Sequence, residues 1–137
     1  MFYETKVKVT RINRHGKEAE VKESYLVNCL LFAEAEVAMM ELFNNECDVF
    51  SISRSNIMEI INKANEDENE SYFKAKLIEI SIDDNGNEKE LAYYVLVAAK
   101  DVKQATERTL EYMRQGLENT RLDAINKTKI LDILKDK

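Results

Sequence analysis

The chain has 137 residues, 45% of them hydrophobic and 34% charged, which suits one folded domain with its own core. No apolar run reaches the roughly 18 residues that a bilayer span needs, and the N-terminus MFYETKVKV alternates where a signal peptide would be continuously apolar, so we expect a cytoplasmic protein without a membrane segment. The net charge of −6 argues against a generalised phosphate-binding surface but leaves room for a local basic patch.

The first half of the chain predicts two strands, a helix and a third strand. Alternation over 2–13 predicts a strand with one buried face, and His15-Gly16 predicts a turn before a returning strand at 19–28. Apolar residues at helical spacing predict a helix over 32–45. Residues 49–62, which contain the pentapeptide IMEII, predict a long closing strand with a possible bulge.

The second half repeats the first. A shift of 70 residues places Phe2-Tyr3-Glu4-Thr5-Lys6 over Tyr72-Phe73-Lys74-Ala75-Lys76, and a shift of 73 later places IMEII over ILDIL. Asn85-Gly86 predicts a turn with positive φ at both residues. The strand expected at 90–99 is apolar on both faces and should therefore be central in its sheet. A helix over 102–116, capped by Asp101, and a closing strand at 121–134 complete the second half.

The predicted fold is α+β with the order ββαβ-ββαβ. We expect residues 1–137 to form a single domain of two repeats, 2–62 and 72–134, joined by the acidic loop NEDENES. A mostly antiparallel sheet would carry both helices on one face, with pseudo-twofold symmetry. The sequence leaves open whether this sheet is continuous or split.

Several motifs resemble a known family. They are the aromatic pair followed by xxK at the start of each half, YLV before the first helix, AEAEV in that helix, and ISRSNIMEII. Together they are similar to a small domain-of-unknown-function family of gut Bacteroidetes and their crAss-like phages. Phe2 and Tyr72 replace the tryptophans usual in that family, and Leu31 and Ala33 stand where small hydroxyl residues normally cap the helix. The resemblance implies a bacterial or infected-host cytosol, and because the family has no established activity, no functional residue can be carried over from it. The departures at Leu31 and Ala33 predict a weak N-terminus for the first helix.

The reactive residues favour structural interpretations over catalysis. His15 is the only histidine, and its copy is Asn85, as expected of a turn residue rather than a base. Glu59 and Asp132 are matching acids of the pentapeptides, for which solubility of an edge strand is a simpler explanation than a paired acid site. Cys29 and Cys47 have no CxxC spacing, so we expect free thiols. The sequence predicts no enzyme, no metal and no cofactor.

Basic residues at matching positions of the two halves predict a binding surface. Lys6 and Lys76 follow the aromatic residues Phe2 and Tyr72, and Arg54 matches Lys127 in the closing strands. If these six side chains share the open side of a sheet, or a groove at the pseudo-twofold axis, aromatic rings alternate there with cations. Such a surface stacks bases and neutralises phosphate. The alternative explanation is that the lysines serve solubility and edge protection.

Two functions follow from these patterns. The first is a non-enzymatic binding protein, a homo-oligomer that holds a nucleotide or a single-stranded nucleic acid; in a phage its purpose would be to sequester a host defence signal. The second is a structural or adaptor protein that acts through protein–protein contacts.

Overall fold

The computed structural model describes residues 1–135, which form eight strands and two α-helices. The chain divides into two units. The first unit contains residues 1–55 together with 129–137, and the second contains residues 56–128. Each unit has one four-stranded sheet and one helix, so the α+β prediction is confirmed and the sheet is split in two.

The first unit places a helix on one face of its sheet. Its elements are β1 (Phe2–Ile12), β2 (Glu18–Asn28), α1 (Phe32–Leu42), β3 (Asp48–Arg54) and, from the end of the chain, β8 (Ile130–Leu134). The strand order is β3-β1-β2-β8, and only the β2–β8 pair is parallel. Odd-numbered residues of β1 and β2 pack with one side of α1 in a single apolar cluster, whose buried members are Val7, Val9, Tyr25, Val27, Ala35, Ala38 and Met39. Cys29 and Cys47 are free thiols that pack, partly buried, against this cluster.

The second unit repeats this arrangement. Its elements are β4 (Ile57–Ile60), a single 3-10 turn at Glu66–Glu68, β5 (Ser71–Ile82), β6 (Glu88–Ala99), α2 (Val102–Met113) and β7 (Thr120–Lys127). The order is β4-β6-β5-β7, so β6 is central, as its apolar character predicts. Phe73, Ala75 and Leu77 of β5 face the helix side, where Ala105 and Tyr112 of α2 pack.

Strand register shows the duplication most directly. Phe2 pairs with Asn28 and Tyr72 with Ala98, which is the same pairing shifted by 70. Tyr3 pairs with Arg54 and Phe73 with Lys127, and a bulge follows Lys6 in one sheet and Lys76 in the other. The fold of the two copies is therefore conserved down to the position of an irregularity. The predictions of pseudo-twofold symmetry and of a single domain stay predictions.

The closing strands differ from the prediction of one long strand in each half. Each strand breaks after Arg54 and after Lys127, and the pentapeptide beyond the break joins the sheet of the other unit. There β4 pairs in parallel with β6, and β8 pairs in parallel with β2, in equivalent registers. The prediction was wrong because IMEII and ILDIL have the same apolar pattern. This pattern does not indicate which of the two sheets each pentapeptide joins.

The hairpin turns also differ from the prediction. Positive φ occurs at Gly16 (76°) and Gly86 (81°) but not at His15 or Asn85. The Asn13 carbonyl accepts a hydrogen bond from the Gly16 N–H, and the Asn13 side chain accepts from the N–H groups of His15 and Lys17. This is a three-residue loop with glycine in the left-handed position, stabilised by an Asx turn.

The two helices begin differently. Asp101 caps α2 by accepting a hydrogen bond from the Gln104 N–H at 2.8 Å, as predicted. Leu31 occupies the N-cap of α1 and provides no side-chain cap, which confirms the uncapped start. Both helices are about three residues shorter at their C-terminal ends than the predicted ranges, which extend into turns containing Asn44, Asn45 and Gly116 at positive φ.

Candidate functional site

Within each unit, the residues of the predicted binding surface divide between the two faces of the sheet. Lys6 and Lys76 are on the faces of their sheets away from the helices, as are Phe2 and Tyr72. Arg54 and Lys127 are on the helix side, because they pair directly with Tyr3 and Phe73, which face that side. The geometric part of the prediction is therefore wrong for the two closing-strand cations. A ligand-binding role for the individual residues stays a prediction.

The aromatic residues of the predicted surface are poorly placed for stacking. Tyr72 is only 2% exposed, and its hydroxyl oxygen accepts a hydrogen bond from the Ala64 N–H at 2.9 Å. Phe2 is half-buried. In the second unit, Lys76 lies 3.6 Å from an oxygen of Asp123, and the Lys74 ammonium lies 4.6 Å from the centre of the Tyr94 ring. Lys76 thus already has an anionic neighbour within its own unit.

The sheet of the first unit carries an aromatic ring with cations that the sequence did not single out. Phe50 of β3 is 41% exposed, and the ammonium groups of Lys8 and Lys22 lie 5.5 Å and 5.6 Å from its ring centre. Lys6 precedes Lys8 by two residues and shares its face. We call these four side chains, Lys6, Lys8, Lys22 and Phe50, the Phe50 surface.

Strand register explains how these residues meet. Lys8 and Lys22 are direct cross-strand partners on β1 and β2, and β3 brings Phe50 beside them. Like charges in directly opposed positions are destabilising. Glu20 follows the same face of β2, and Asp48 stands opposite Lys8, yet within residues 1–135 Lys6, Lys8 and Lys22 form no ion pair. The pair of lysines is therefore an attractive position for an anion supplied from outside.

Lys8, Lys22 and Phe50 cannot be identified by looking for similar residues at matching positions of the two copies. Their counterparts in the second copy are Ile78, Ala92 and Asp123, which differ from them in charge and chemistry. The signal that could have found them is the run of lysines on the even face of the first strand, combined with the hairpin register.

A second polar group of the first unit lies on the helix side. Arg11 donates two hydrogen bonds to the Glu23 carboxylate, at 3.0 Å and 2.7 Å, and the Tyr25 hydroxyl donates a third at 2.8 Å. These hydrogen bonds, led by those from Arg11, lower the pKa of Glu23. Burial, followed by the neighbouring carboxylate, raises the pKa of Tyr25 to about 12. The network ties the hairpin to Phe43, whose ring lies against both Arg11 and Tyr25.

The second unit has a different network, at a groove beside α2. Arg108 donates to Glu70 at 2.8 Å and to the Ala98 carbonyl at 2.6 Å, and the Glu70 side chain is only 4% exposed. Burial alone would raise the pKa of Glu70, but hydrogen bonds from the Asn65 N–H and from Arg108 lower it. The Tyr112 hydroxyl donates to Glu59, and burial, followed by that carboxylate, raises the pKa of Tyr112.

Most polar groups that line this groove are already paired within the second unit. It has a volume of about 280 Å³ and is lined by Ile61, Asn62, Arg108, Glu111, Tyr112 and Gln115. Asn62 exchanges hydrogen bonds with the backbone of Ala98, and the Arg108 and Tyr112 groups are paired as described. The arrangement fixes β4 against β6 and leaves no unpaired cation for a ligand.

Within residues 1–135, no three His, Cys, Asp or Glu side chains cluster as they would around a metal ion. Neither described helix has the length and apolar content that crossing a bilayer requires.

Comparison with known proteins gives one match. The family model of a domain of unknown function, DUF4494, covers residues 1–136. The chain belongs to the DUF4494 family. No curated protein and no solved structure matches it. Membership of an uncharacterised domain family, as the sequence motifs indicated, is therefore confirmed, and the Bacteroidetes or phage origin stays a prediction.

Proposed function

We propose that this DUF4494 protein is a non-enzymatic binding protein that holds a nucleotide or a short single-stranded nucleic acid on the Phe50 surface. The observation that supports the proposal is the exposed Phe50 ring with two ammonium groups within 5.6 Å of its centre. The ligand class is the one the sequence indicated, and the residues that would bind it are now Lys6, Lys8, Lys22 and Phe50.

The chemistry of the surface fits a ligand with bases and phosphates. An aromatic ring at a protein surface contributes about 1–3 kcal/mol per stacked base, largely independent of base identity. The lysines would neutralise phosphate oxygens and release counterions. Because Lys8 and Lys22 repel each other in the free protein, a bound phosphate would also relieve that repulsion.

The side chains of the Phe50 surface favour binding over catalysis. They are three cations and a hydrocarbon ring, which attract and orient a ligand but include no carboxylate, imidazole or thiol to attack it or remove a proton. A protein of this kind would lower the free concentration of a nucleotide by holding it. Sequestration of a host defence signal by a phage protein is the specific form of the proposal that the family resemblance suggests.

Binding is tested by fluorescence anisotropy with a short fluorescein-labelled oligothymidine, and by calorimetry with a panel of mono-, di- and cyclic nucleotides. The variants are Phe50→Ala and the pair Lys8→Ala with Lys22→Ala. The matched control is Lys89→Ala with Lys103→Ala, which removes the same charge from exposed positions of the second unit. Circular dichroism confirms that each variant is folded.

We expect Phe50→Ala to weaken binding by about 5- to 150-fold, because one stacked base is lost. We expect the lysine pair to reduce the dependence of log K on log salt by about 1.4, for two phosphate contacts to a single strand. Ligand released by heat should be chemically intact. Equal effects of the control pair, or no binding by the native protein, would contradict the proposal.

The adaptor function is the second candidate, because α1 has an apolar outer side, described below. Homo-oligomerisation is part of either proposal. Light scattering of the purified protein measures it directly, and a mass equal to one 15.9 kDa chain would contradict it.

A further inference from the structure

The exposed side of α1 is more apolar than that of α2: Val37 and Leu42 of α1 correspond to Glu107 and Tyr112 of α2, although α2 also exposes Val102 and Leu110. Val37 is 55% exposed and Leu42 is 45% exposed, and the chain entering the helix exposes Leu31 and Phe32 by 64% and 56%. Exposed apolar residues grouped on one element mark interaction surfaces more often than residues scattered singly. We call residues Ala33, Glu34, Val37, Ala38, Glu41 and Leu42 the α1 face.

The α1 face forms one wall of a groove in the first unit. The groove has a volume of about 360 Å³ and is lined by Asn28, Ala33, Glu34, Val37, Ala38, Glu41 and Lys135. A second hollow of about 300 Å³ continues it past Leu42 and Leu134. Ala38 is 4% exposed and forms part of the floor, so a partner could approach the helix closely.

The charged side chains on α1 itself are all acidic. Residues 23–53 contain the acids Glu23, Glu34, Glu36, Glu41, Glu46 and Asp48 and no Lys, Arg or His. The described cations at the groove are the N-terminal ammonium, which donates a hydrogen bond to Asn28 at 3.0 Å, and Lys135, whose ammonium forms an ion pair with Glu41 at 3.4 Å. That ion pair is exposed at both partners, by 57% and 63%, so it contributes little and a competing cation can replace it.

The helix of the second copy has a cation at the position equivalent to Ala38. Arg108 of α2 occupies the position equivalent to Ala38, and its guanidinium enters the equivalent groove to bind Glu70 and the Ala98 carbonyl. In the first unit the equivalent of Ala98 is Asn28, which lines the open groove. Because the first unit has Ala38 in place of this arginine, its groove lacks the arginine cation, whereas Glu34 and Glu41 remain at the rim.

We propose that the α1 face docks a basic amphipathic helix of a partner protein. Glu34, Val37, Ala38 and Glu41 follow one stripe of α1, with the two carboxylates about 10.5 Å apart along the axis, or two turns. An incoming helix would place apolar residues against Val37 and Leu42 and a Lys or Arg near each carboxylate. This is the helix-in-groove mode of recognition.

A second copy of this chain fits the face less well. A symmetric contact through α1 would bring the acids of one copy against the same acids of the other, which costs free energy. The partner is therefore a different chain with a basic segment. The α1 face and the Phe50 surface share no residue, so the two binding events should be independent.

The test uses the full-length protein and two synthetic peptides. One is a fluorescein-labelled amphipathic helix with leucines on one side and Lys and Arg on the flanks; the other has Glu in place of every Lys and Arg. The variants are Glu34→Lys with Glu41→Lys, and Val37→Ser with Leu42→Ser. The control is Glu107→Lys with Glu111→Lys, which reverses two exposed charges on α2.

We expect the basic peptide to bind and the acidic peptide not to bind. Each α1 pair should weaken binding by about tenfold or more, and the α2 control should change it by less than about twofold. Oligothymidine affinity should be the same with and without the peptide. Equal binding of both peptides, insensitivity to the α1 variants, or concentration-dependent dimerisation that the α1 variants abolish would overturn the proposal.

Discussion

The two units differ on their surfaces far more than in their backbone. Register, bulge position and strand exchange are the same in both, whereas Lys8, Lys22 and Phe50 of the first unit are replaced by Ile78, Ala92 and Asp123 in the second. The helices differ in the same way, since Ala38 beside the groove of the first unit corresponds to Arg108 in the second, whose guanidinium binds Glu70 and the Ala98 carbonyl.

This comparison separates the requirements of folding from those of binding. Both copies must keep the residues that set the sheet register, because a slip of one residue would turn every side chain to the opposite face. Exposed positions carry no such constraint. In the second unit, Ile78 and Ala92 replace two of the cations of the Phe50 surface, and Asp123 and Arg108, at the positions equivalent to Phe50 and Ala38, form ion pairs within the unit. We therefore expect binding to depend on the first unit and the second to tolerate surface changes.

The largest expected effect concerns the exchanged strands. Ile57 and Ile130 are equivalent, and both are 6% exposed. Replacing either with alanine should lower the free energy of unfolding by about 2–5 kcal/mol, and by similar amounts, because each strand completes the same kind of sheet edge. Urea denaturation measures this. Met58→Ala and Leu131→Ala, at positions 69% and 55% exposed, are the controls and should change stability by less than about 0.5 kcal/mol. A large difference between the two isoleucine variants would break the equivalence of the units.

The next effect distinguishes the two carboxylate networks. Glu23→Gln and Glu70→Gln each remove the charge that an arginine binds. Each should lower the free energy of unfolding at neutral pH by about 1–3 kcal/mol. The loss should be greater at Glu70, because its side chain is 4% exposed against 12% for Glu23. Urea denaturation at several pH values measures both.

The pH dependence follows from the lowered pKa of each carboxyl. A carboxyl whose pKa is lower in the folded state stabilises the protein above its unfolded pKa and loses that contribution as the pH falls through its folded pKa. Each variant should therefore lose less stability than the native protein between neutral pH and the acid range. If the free energy of unfolding of a variant falls with pH as steeply as that of the native protein, the replaced carboxylate does not contribute to the pH dependence of stability.

The smallest effect concerns the helix caps. Asp101→Ala should destabilise the protein by about 1 kcal/mol, because the Gln104 N–H loses its acceptor. Leu31→Ser should stabilise it by about 0.5–1 kcal/mol, because α1 has no side-chain cap. Thermal denaturation followed by circular dichroism measures both. Destabilisation by Leu31→Ser would indicate that the exposed leucine packs in a way that outweighs the cap.

The sequence predicted part of the candidate site. It indicated the ligand class and Lys6, because alternation places the lysines of β1 on the face away from the core. It did not predict Phe50, Lys8 and Lys22 as a group, because their meeting depends on pairing between three strands. It also placed Arg54 and Lys127 on the wrong face, since the bulge after Lys6 and the break after Arg54 change which residues of a closing strand share a face.

By itself, the sequence determined the hairpin strands, the two helices, the duplication and the cap of α2, because local periodicity, turn residues and repeat matching are encoded within short stretches. Only the tertiary structure decided which sheet each pentapeptide completes and which surface residues come together. The physical reason is that IMEII and ILDIL present the same apolar positions to either edge, so the choice rests on chain path and packing rather than on pattern.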